Sequence, residues 1–265
     1  MDWRTRKQLT IVAIVFGVVA VFIIGISYYI LYRPGSCIDN KKNQGEEDVD
    51  CGGPCLPCAF KYQQPVEVFY ARFIQVRPKN YDIVAEVQNP NDHLAANPLV
   101  YRVQLFDDAG AEVGRRENVT YLYPNDRIYI IESNFLTERT VVKAVATVLD
   151  RESTWQFTND LRPELTLGDK SYAVQSIDNI PTGHVSAELV NREVYGYQNV
   201  DLHVALLDAN QNILAIAKST LLKVAAGERR RVEFTWPTAF ATSSVARIDM
   251  EARANGLLGA NLLAP

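Results

Sequence analysis

Four cysteines and a run of oxygen-bearing side chains lie close together near the start of the chain. The cysteines are Cys37, Cys51, Cys55 and Cys58, and no other cysteine occurs in the sequence. Spacings such as C-x3-C-x2-C suit zinc, whereas four cysteines in an oxidising compartment suit two disulfides. We favour two disulfides on the compartment argument given below, and three pairings remain open.

The loop between the first two cysteines carries side chains that calcium prefers. The candidate ligands are Asp39, Asn43, Glu46, Asp48 and Asp50. On an EF-hand count, Asp39, Asn43 and Asp50 fall at positions one, five and twelve. Lys41 occupies position three and Gly45 comes one residue late, so an EF-hand is disfavoured. The sequence favours a solvated acidic spacer here, and a smaller disulfide-braced calcium loop is the alternative.

The same segment resembles a short cysteine-rich motif of bacterial surface proteins. The likeness rests on Asn43-Gln44-Gly45-Glu46, on Val49-Asp50-Cys51-Gly52-Gly53-Pro54-Cys55 and on Pro57-Cys58. Asn40 departs from the pattern, which often has glycine at that position. The resemblance implies a neighbouring β-rich extracellular module and names no activity.

Motifs typical of catalysis are absent from the sequence. His93, His184 and His203 share no metal-ligand spacing, and no H-E-x-x-H, G-x-S-x-G or phosphate-binding glycine motif occurs. Asp107 and Asp108 lie in a predicted turn, where aspartate bonds to its own backbone. We therefore expect no enzyme activity, no catalytic residues and no cofactor other than the calcium ion considered above.

An apolar stretch at Leu9–Leu31 determines the expected compartment. It has no charged side chain, and about 23 residues at ~1.5 Å rise span a ~30 Å hydrocarbon core. Basic residues precede it and are expected in the cytoplasm. We expect a cytoplasmic tip at 1–8, a transmembrane signal anchor at 9–32 and an extracytoplasmic remainder. The alternative, a cleaved signal peptide, has a shorter apolar core.

From Pro65 onward, apolar and polar residues alternate in short runs that are typical of β-strands. Val100–Leu105 is one such run, and Asp107-Asp108-Ala109-Gly110 follows it as a hairpin turn. The second half repeats the first at an offset of about 101–102 residues, the size of an immunoglobulin-like domain. The matching segments are Glu86–Asn89 with Glu188–Asn191 and Tyr101–Asp107 with Leu202–Asp208.

The duplication predicts a mainly β fold with two tandem immunoglobulin-like β-sandwiches. The expected domains are a cysteine-rich module at 37–58, sandwiches at 65–157 and 163–255, and a tail at 256–265. The pattern resembles the FxLYD-type family of extracytoplasmic immunoglobulin-like domains, in which an asparagine ends one strand and an aspartate ends the next. This resemblance implies β-sandwiches, often in membrane-attached bacterial proteins, and brings no catalytic residues.

Strand alternation in the second copy predicts a core, and the short Asp160–Pro163 linker predicts a stiff pair. The predicted core residues are Val185, Ala187, Leu189, Leu202, Val204, Leu206, Val232, Phe234 and Trp236. Trp155 is expected to cover the end of a sandwich near the domain junction.

Charge and organisation leave two classes of function. A net charge of −4 offers no electrostatic footprint for nucleic acid. The first class is a membrane-anchored interaction or scaffold protein whose partners are other surface or membrane proteins. The second is an accessory subunit of a membrane complex, paired through its anchor, and a calcium-dependent adhesin is a third alternative. The sequence assigns no small-molecule ligand.

Overall fold

The computed structural model describes residues 3–31 and 36–263. The chain forms two compact units, Met1–Lys61 and Tyr62–Pro265. The helices are α1 (Trp3–Leu31) and α2 (Cys58–Lys61), with short 3-10 turns at Thr242–Ser244 and Gly259–Asn261. The strands are β1 (Glu67–Arg77), β2 (Asn80–Gln88), β3 (Leu94–Phe106), β4 (Glu112–Leu122), β5 (Arg127–Leu136), β6 (Lys143–Val148), β7 (Trp155–Phe157), β8 (Leu165–Ile177), β9 (Ile180–Asn191), β10 (Gly196–Leu207), β11 (Ile213–Val224), β12 (Arg229–Trp236), β13 (Arg247–Arg253) and β14 (Leu262–Leu263).

Helix α1 contains a stretch, Arg6–Tyr29, that is long and apolar enough to cross a membrane. Its mean hydropathy is 3.1 and its large apolar side chains, such as Phe16 and Phe22, are exposed. The helix begins at Trp3, so the basic residues before the apolar stretch lie on its first turns. An exposed apolar surface of this size is unfavourable in water.

The second unit is mainly β, as the sequence predicts, and it contains the same strand order twice. In the first sandwich (β1–β7), the sheet β1-β2-β5 faces the sheet β4-β3-β6, with β7 beside β3. In the second sandwich (β8–β14), the sheet β8-β9-β12 faces β11-β10-β13, with β14 beside β10. All pairs are antiparallel. Each copy therefore has the same topology, strand for strand.

Each sandwich encloses its own apolar core. All nine residues predicted for the second core are buried there, which confirms that prediction. Alternate residues of β2, including Ile83 and Ala85, fill the first core. Trp155 is half-buried and contacts this first core from the edge of β3.

Equivalent buried asparagines close one corner of each sandwich. The side-chain amides of Asn89 and Asn191 are fully buried. Asn89 donates to two main-chain carbonyl oxygens at 2.6 and 2.8 Å, and Asn191 donates to two at 2.9 and 2.8 Å. In each copy the backbone N–H two residues further along donates to the asparagine side chain. These bonds give the repeated asparagine a structural role in both copies.

Candidate functional site at the junction of the two sandwiches

An apolar cluster joins the outer face of β1-β2-β5 to the outer face of β11-β10-β13. It is centred on the cross-strand pair Val84–Ile131 of the first sandwich and the pair Ala205–Ile216 of the second. All four side chains are buried. Strands β2 and β10 are therefore covered on both faces, one by their own core and one by the neighbouring sandwich.

A buried arginine at the end of β13 links the two sandwiches. Arg253 is 2% exposed, and its Nη2 donates to the carbonyl oxygen of Tyr121 at 2.5 Å. Its guanidinium lies 4.4 Å from the centre of the Tyr121 ring. The same nitrogen lies 3.7 Å from a carboxylate oxygen of Asp126 in the first sandwich. These contacts cross from the second sandwich to the first, and a guanidinium buried at this boundary depends on them to compensate its charge.

The linker contributes a second arginine to this junction. Arg162 donates to Asp126 at 3.1 Å and to the carbonyl oxygen of Ala252 at 2.9 Å. Nearby, His203 Nδ1 lies 3.0 Å from a carboxylate oxygen of Glu251. Burial alone would raise the pKa of Glu251, but the bond to His203 and the neighbouring guanidiniums outweigh it and hold that pKa below its usual value.

A groove of about 360 Å³, which we call the polar groove, opens beside Arg253. Its lining comes from both sandwiches and consists of Tyr121, Asn199, Asp201, Asn255, Leu258, Ala260 and Asn261. Two buried oxygens of this lining, the Tyr121 hydroxyl and Asn255 Oδ1, have no hydrogen-bond partner among the described residues. Burial raises the pKa of Tyr121, so its hydroxyl is protonated at neutral pH.

Three contacts hold the rim of the polar groove in place. Asn261 accepts from the backbone N–H of Asn199 at 2.9 Å and donates to its carbonyl at 3.1 Å. Asn255 donates through Nδ2 to Asn97 at 3.1 Å, which leaves its Oδ1 available. Asp201 accepts from the Thr220 hydroxyl through one carboxylate oxygen. The rim is therefore fixed by hydrogen bonds, while two buried oxygens of the lining keep unused hydrogen-bonding capacity.

A second cavity at the junction is small and mostly apolar. Its volume is about 130 Å³, and its walls include Ile74, Ile216, Trp236 and Phe240. Asp82 is its one carboxylate, and burial raises the pKa of that group. Ligand sites usually enclose about 300–1,000 Å³, so the polar groove is the better candidate.

The cysteine-rich module is braced by two disulfides, Cys37–Cys55 and Cys51–Cys58. All four sulfurs are therefore engaged, and none is available as the thiolate that a zinc site requires. Asn40 adopts φ 57°, the left-handed region in which glycine is favoured. Asparagine tolerates this region better than most other residues, so Asn40 fits the turn without glycine.

The acidic residues of this module bond mainly to backbone N–H groups. Asp50 accepts from the N–H groups of Asp39 and Asn40, at 2.9 to 3.1 Å. Glu46 is 5% exposed and accepts through Oε2 from the N–H groups of Asn43 and Asp50, at 3.1 and 3.3 Å. The two carboxylates therefore hold the loop in its fold by accepting hydrogen bonds from its own backbone N–H groups.

The remaining predicted ligands lie in the same loop. Asp39 accepts a hydrogen bond from Asn43 Nδ2 at 2.9 Å. The Oδ1 atom of Asn43 is buried and has no hydrogen-bond partner among the described residues. Asp48 accepts from the neighbouring Val49 N–H at 2.8 Å. The second oxygen of Glu46 lies 3.2 Å from a disulfide sulfur, which carries no proton to donate. The calcium site stays a prediction.

The three histidines are held in separate surroundings. His93 contacts the ring of Phe157, and His184 lies within hydrogen-bond distance of two threonine hydroxyls. His203 belongs to the junction through Glu251. Sequence reasoning did not select Tyr121, Asn255 or Arg253, which come together only when the two sandwiches meet.

Comparison with known proteins gave no matching family model and no matching curated protein. Among solved structures, the chain is similar to the N-terminal tandem CBM22-1–CBM22-2 domain of Xyn10C from Paenibacillus barcinonensis. The two share 7% identity over 73% of this chain and 84% of that one, with a TM-score of 0.16. At that TM-score the similarity carries no argument. The resemblances to FxLYD-type domains and to the bacterial cysteine motif stay predictions.

Proposed function

We propose that this chain is a membrane-anchored binding protein that presents two stiffly coupled β-sandwiches outside the cytoplasm, without catalysis. The observation that carries the proposal is the junction around Arg253. A fully buried guanidinium, an apolar cluster and a linker arginine join the sandwiches into one unit. Such a junction suits a protein whose role is to hold a binding surface in a fixed shape.

Two further features support the location. Helix α1 has the length and hydropathy of a membrane span, with basic residues at its start. The module that follows it carries two disulfides, which persist in oxidising compartments. Together they favour an anchor with its basic end in the cytoplasm.

Labelling of an added cysteine tests this orientation, since the four native cysteines are all in disulfides. Leu161 is 81% exposed on the linker, and Arg4 is exposed at the start of α1. In intact cells, a maleimide that cannot cross membranes should label the Leu161→Cys variant and spare Arg4→Cys until the cells are opened. The reverse pattern, or release of a soluble Leu161→Cys chain lacking α1, would contradict the proposal.

Site-specific photocrosslinking tests the binding role against the accessory-subunit alternative. A crosslinker at Leu222, which is 67% exposed on the second sandwich, should capture a defined partner in intact membranes. The matched position Phe16, exposed on α1, should capture lipid rather than the same partner. Crosslinks to one protein from Phe16 alone would instead show that the anchor assembles with other helices.

A calcium-dependent role is the second candidate because Asn43 Oδ1 is buried without a partner beside the buried carboxylate of Glu46. Calorimetric titration of the full chain with calcium should release heat that the Asp50→Asn variant reduces. Asp92→Asn, an exposed change in the other unit, is the control. Absence of heat in the unaltered chain removes this candidate.

A further inference from the structure

We propose that the polar groove between the two sandwiches binds a neutral saccharide. The inference deepens the binding role proposed above and rests on it. The decisive observation is that Tyr121, which is 7% exposed, and Asn255 both line one groove and each carry a buried oxygen without a hydrogen-bond partner among the described residues. Leaving such a group unpaired is unfavourable, and a ligand that bonds to it removes that cost.

The hydrogen-bonding character of the lining identifies the chemical class. Asn255 Oδ1 can only accept a hydrogen bond, whereas the Tyr121 hydroxyl can both donate and accept one. Asp201 has a second carboxylate oxygen, besides the one that accepts from Thr220, which can also accept. A sugar hydroxyl both donates and accepts, so adjacent hydroxyls on one ring satisfy all three groups. Leu258, which is 51% exposed, offers an apolar contact for the C–H face of the ring.

Charge and size argue against other ligands. Asp201 is the single charged residue of the lining and repels anions. The guanidinium of Arg253 beneath the Tyr121 ring disfavours a cation. A peptide usually adds along a free strand edge, whereas this groove lies between two sandwiches. Its volume of about 360 Å³ is at the small end of ligand sites and suits one or two sugar rings.

Ligand titration of the full chain tests the proposal. The chain is held in lipid nanodiscs, which avoids detergents with sugar head groups. The probes are cellobiose, maltose, N,N′-diacetylchitobiose and, as the peptide alternative, tri-alanine, with saturation-transfer NMR as the readout. We expect at least one disaccharide to bind, and Tyr121→Phe and Asn255→Ala each to weaken it roughly 2- to 10-fold, the value of one neutral hydrogen bond.

Stability measurements on the same variants separate binding from folding. Because the Tyr121 hydroxyl bonds to no described residue, Tyr121→Phe should leave Tm unchanged or slightly raised. The matched control is Tyr101→Phe, whose hydroxyl donates to Glu132 at 2.7 Å. That change should lower Tm and leave saccharide affinity intact.

Three results would overturn the saccharide proposal. They are no disaccharide binding at millimolar concentrations, binding of tri-alanine alone, and a disaccharide affinity that Tyr121→Phe and Asn255→Ala both leave unchanged. Crosslinks from Leu222 that persist beside such a result would reject the ligand and retain the wider binding role.

Discussion

Replacing Arg253 with alanine should loosen the two sandwiches and lower the stability of the β unit. The change removes a 2.5 Å hydrogen bond from a charged donor to the Tyr121 carbonyl, and it removes the contact with the Tyr121 ring. It also takes one of two guanidiniums away from the buried carboxylate of Asp126. Both sandwiches lose contacts, because the arginine belongs to one and its partners to the other.

The expected cost follows from these contacts. Breaking a buried ion pair by removing one partner costs about 3–5 kcal/mol. Arg162 still donates to Asp126 at 3.1 Å, which places this case at the lower end, about 3 kcal/mol. For a folded unit of about 200 residues, 1 kcal/mol shifts Tm by roughly 2–4 °C, so we expect a decrease of about 6–12 °C.

Differential scanning calorimetry of the full chain in micelles measures this decrease. Arg247→Ala is the matched control on the same strand, since its side chain is half-exposed and pairs with Asp249 at the surface. It should cost less than about 1 kcal/mol. Equal Tm values for Arg253→Ala and Arg247→Ala would refute the reasoning.

Three further predictions follow from the repeated corner, the acidic junction and the disulfides. Asn89→Ala and Asn191→Ala should each destabilise the β unit by about 1–3 kcal/mol in urea unfolding, and clearly unequal losses would contradict their equivalence. Because folding lowers the pKa of Glu251, the free energy of unfolding should fall as the pH drops below about 4.3. The Glu251→Gln variant should lose less stability over the same pH range. If its stability depends on pH as that of the unaltered chain does, the prediction is wrong. Replacing Cys37 and Cys55 together with serine should cost about 3 kcal/mol for the 18-residue span and hasten proteolysis of the module, whereas unchanged cleavage would argue against it.

The core could be predicted from the sequence because it depends on local alternation. Residues such as Val204 and Leu206 occur at every second position, and a strand places them on one face. The duplication could also be predicted from the sequence, because Asn89 and Asn191 belong to segments that match at the same offset as the other repeated segments. Their role at buried corners required the structure, because each amide bonds to a turn distant in sequence that joins the two sheets of its sandwich.

The junction and the polar groove could not be predicted in the same way. A signal for the junction was present, because β10 continues as Val204-Ala205-Leu206-Leu207 without polar alternation, which is typical of a strand buried on both faces. That run does not indicate which part of the chain covers the outer face of β10. The groove leaves no sequence pattern, since Tyr121 and Asn255 are separated along the chain and meet only after the sandwiches have joined.

The two copies meet through different faces, since the first uses β1-β2-β5 and the second uses β11-β10-β13. Such head-to-tail contacts can in principle repeat without limit, because each added copy exposes the face that receives the next. On the open β8-β9-β12 face, however, the cross-strand pair Ser186–Glu233 stands where the first copy has Val84–Ile131.

The outer face of β4-β3-β6 in the first sandwich also carries a polar pair at the corresponding position. There the pair Gln104–Arg115 corresponds to Ala205–Ile216 of the second copy. The polar pairs on both outer faces thus resemble the polar capping repeats of a solenoid, which disfavour the addition of a further copy. Replacing both polar pairs with their apolar counterparts would expose an apolar face on each outer sheet. Molecules with two such faces would assemble head to tail into a fibre.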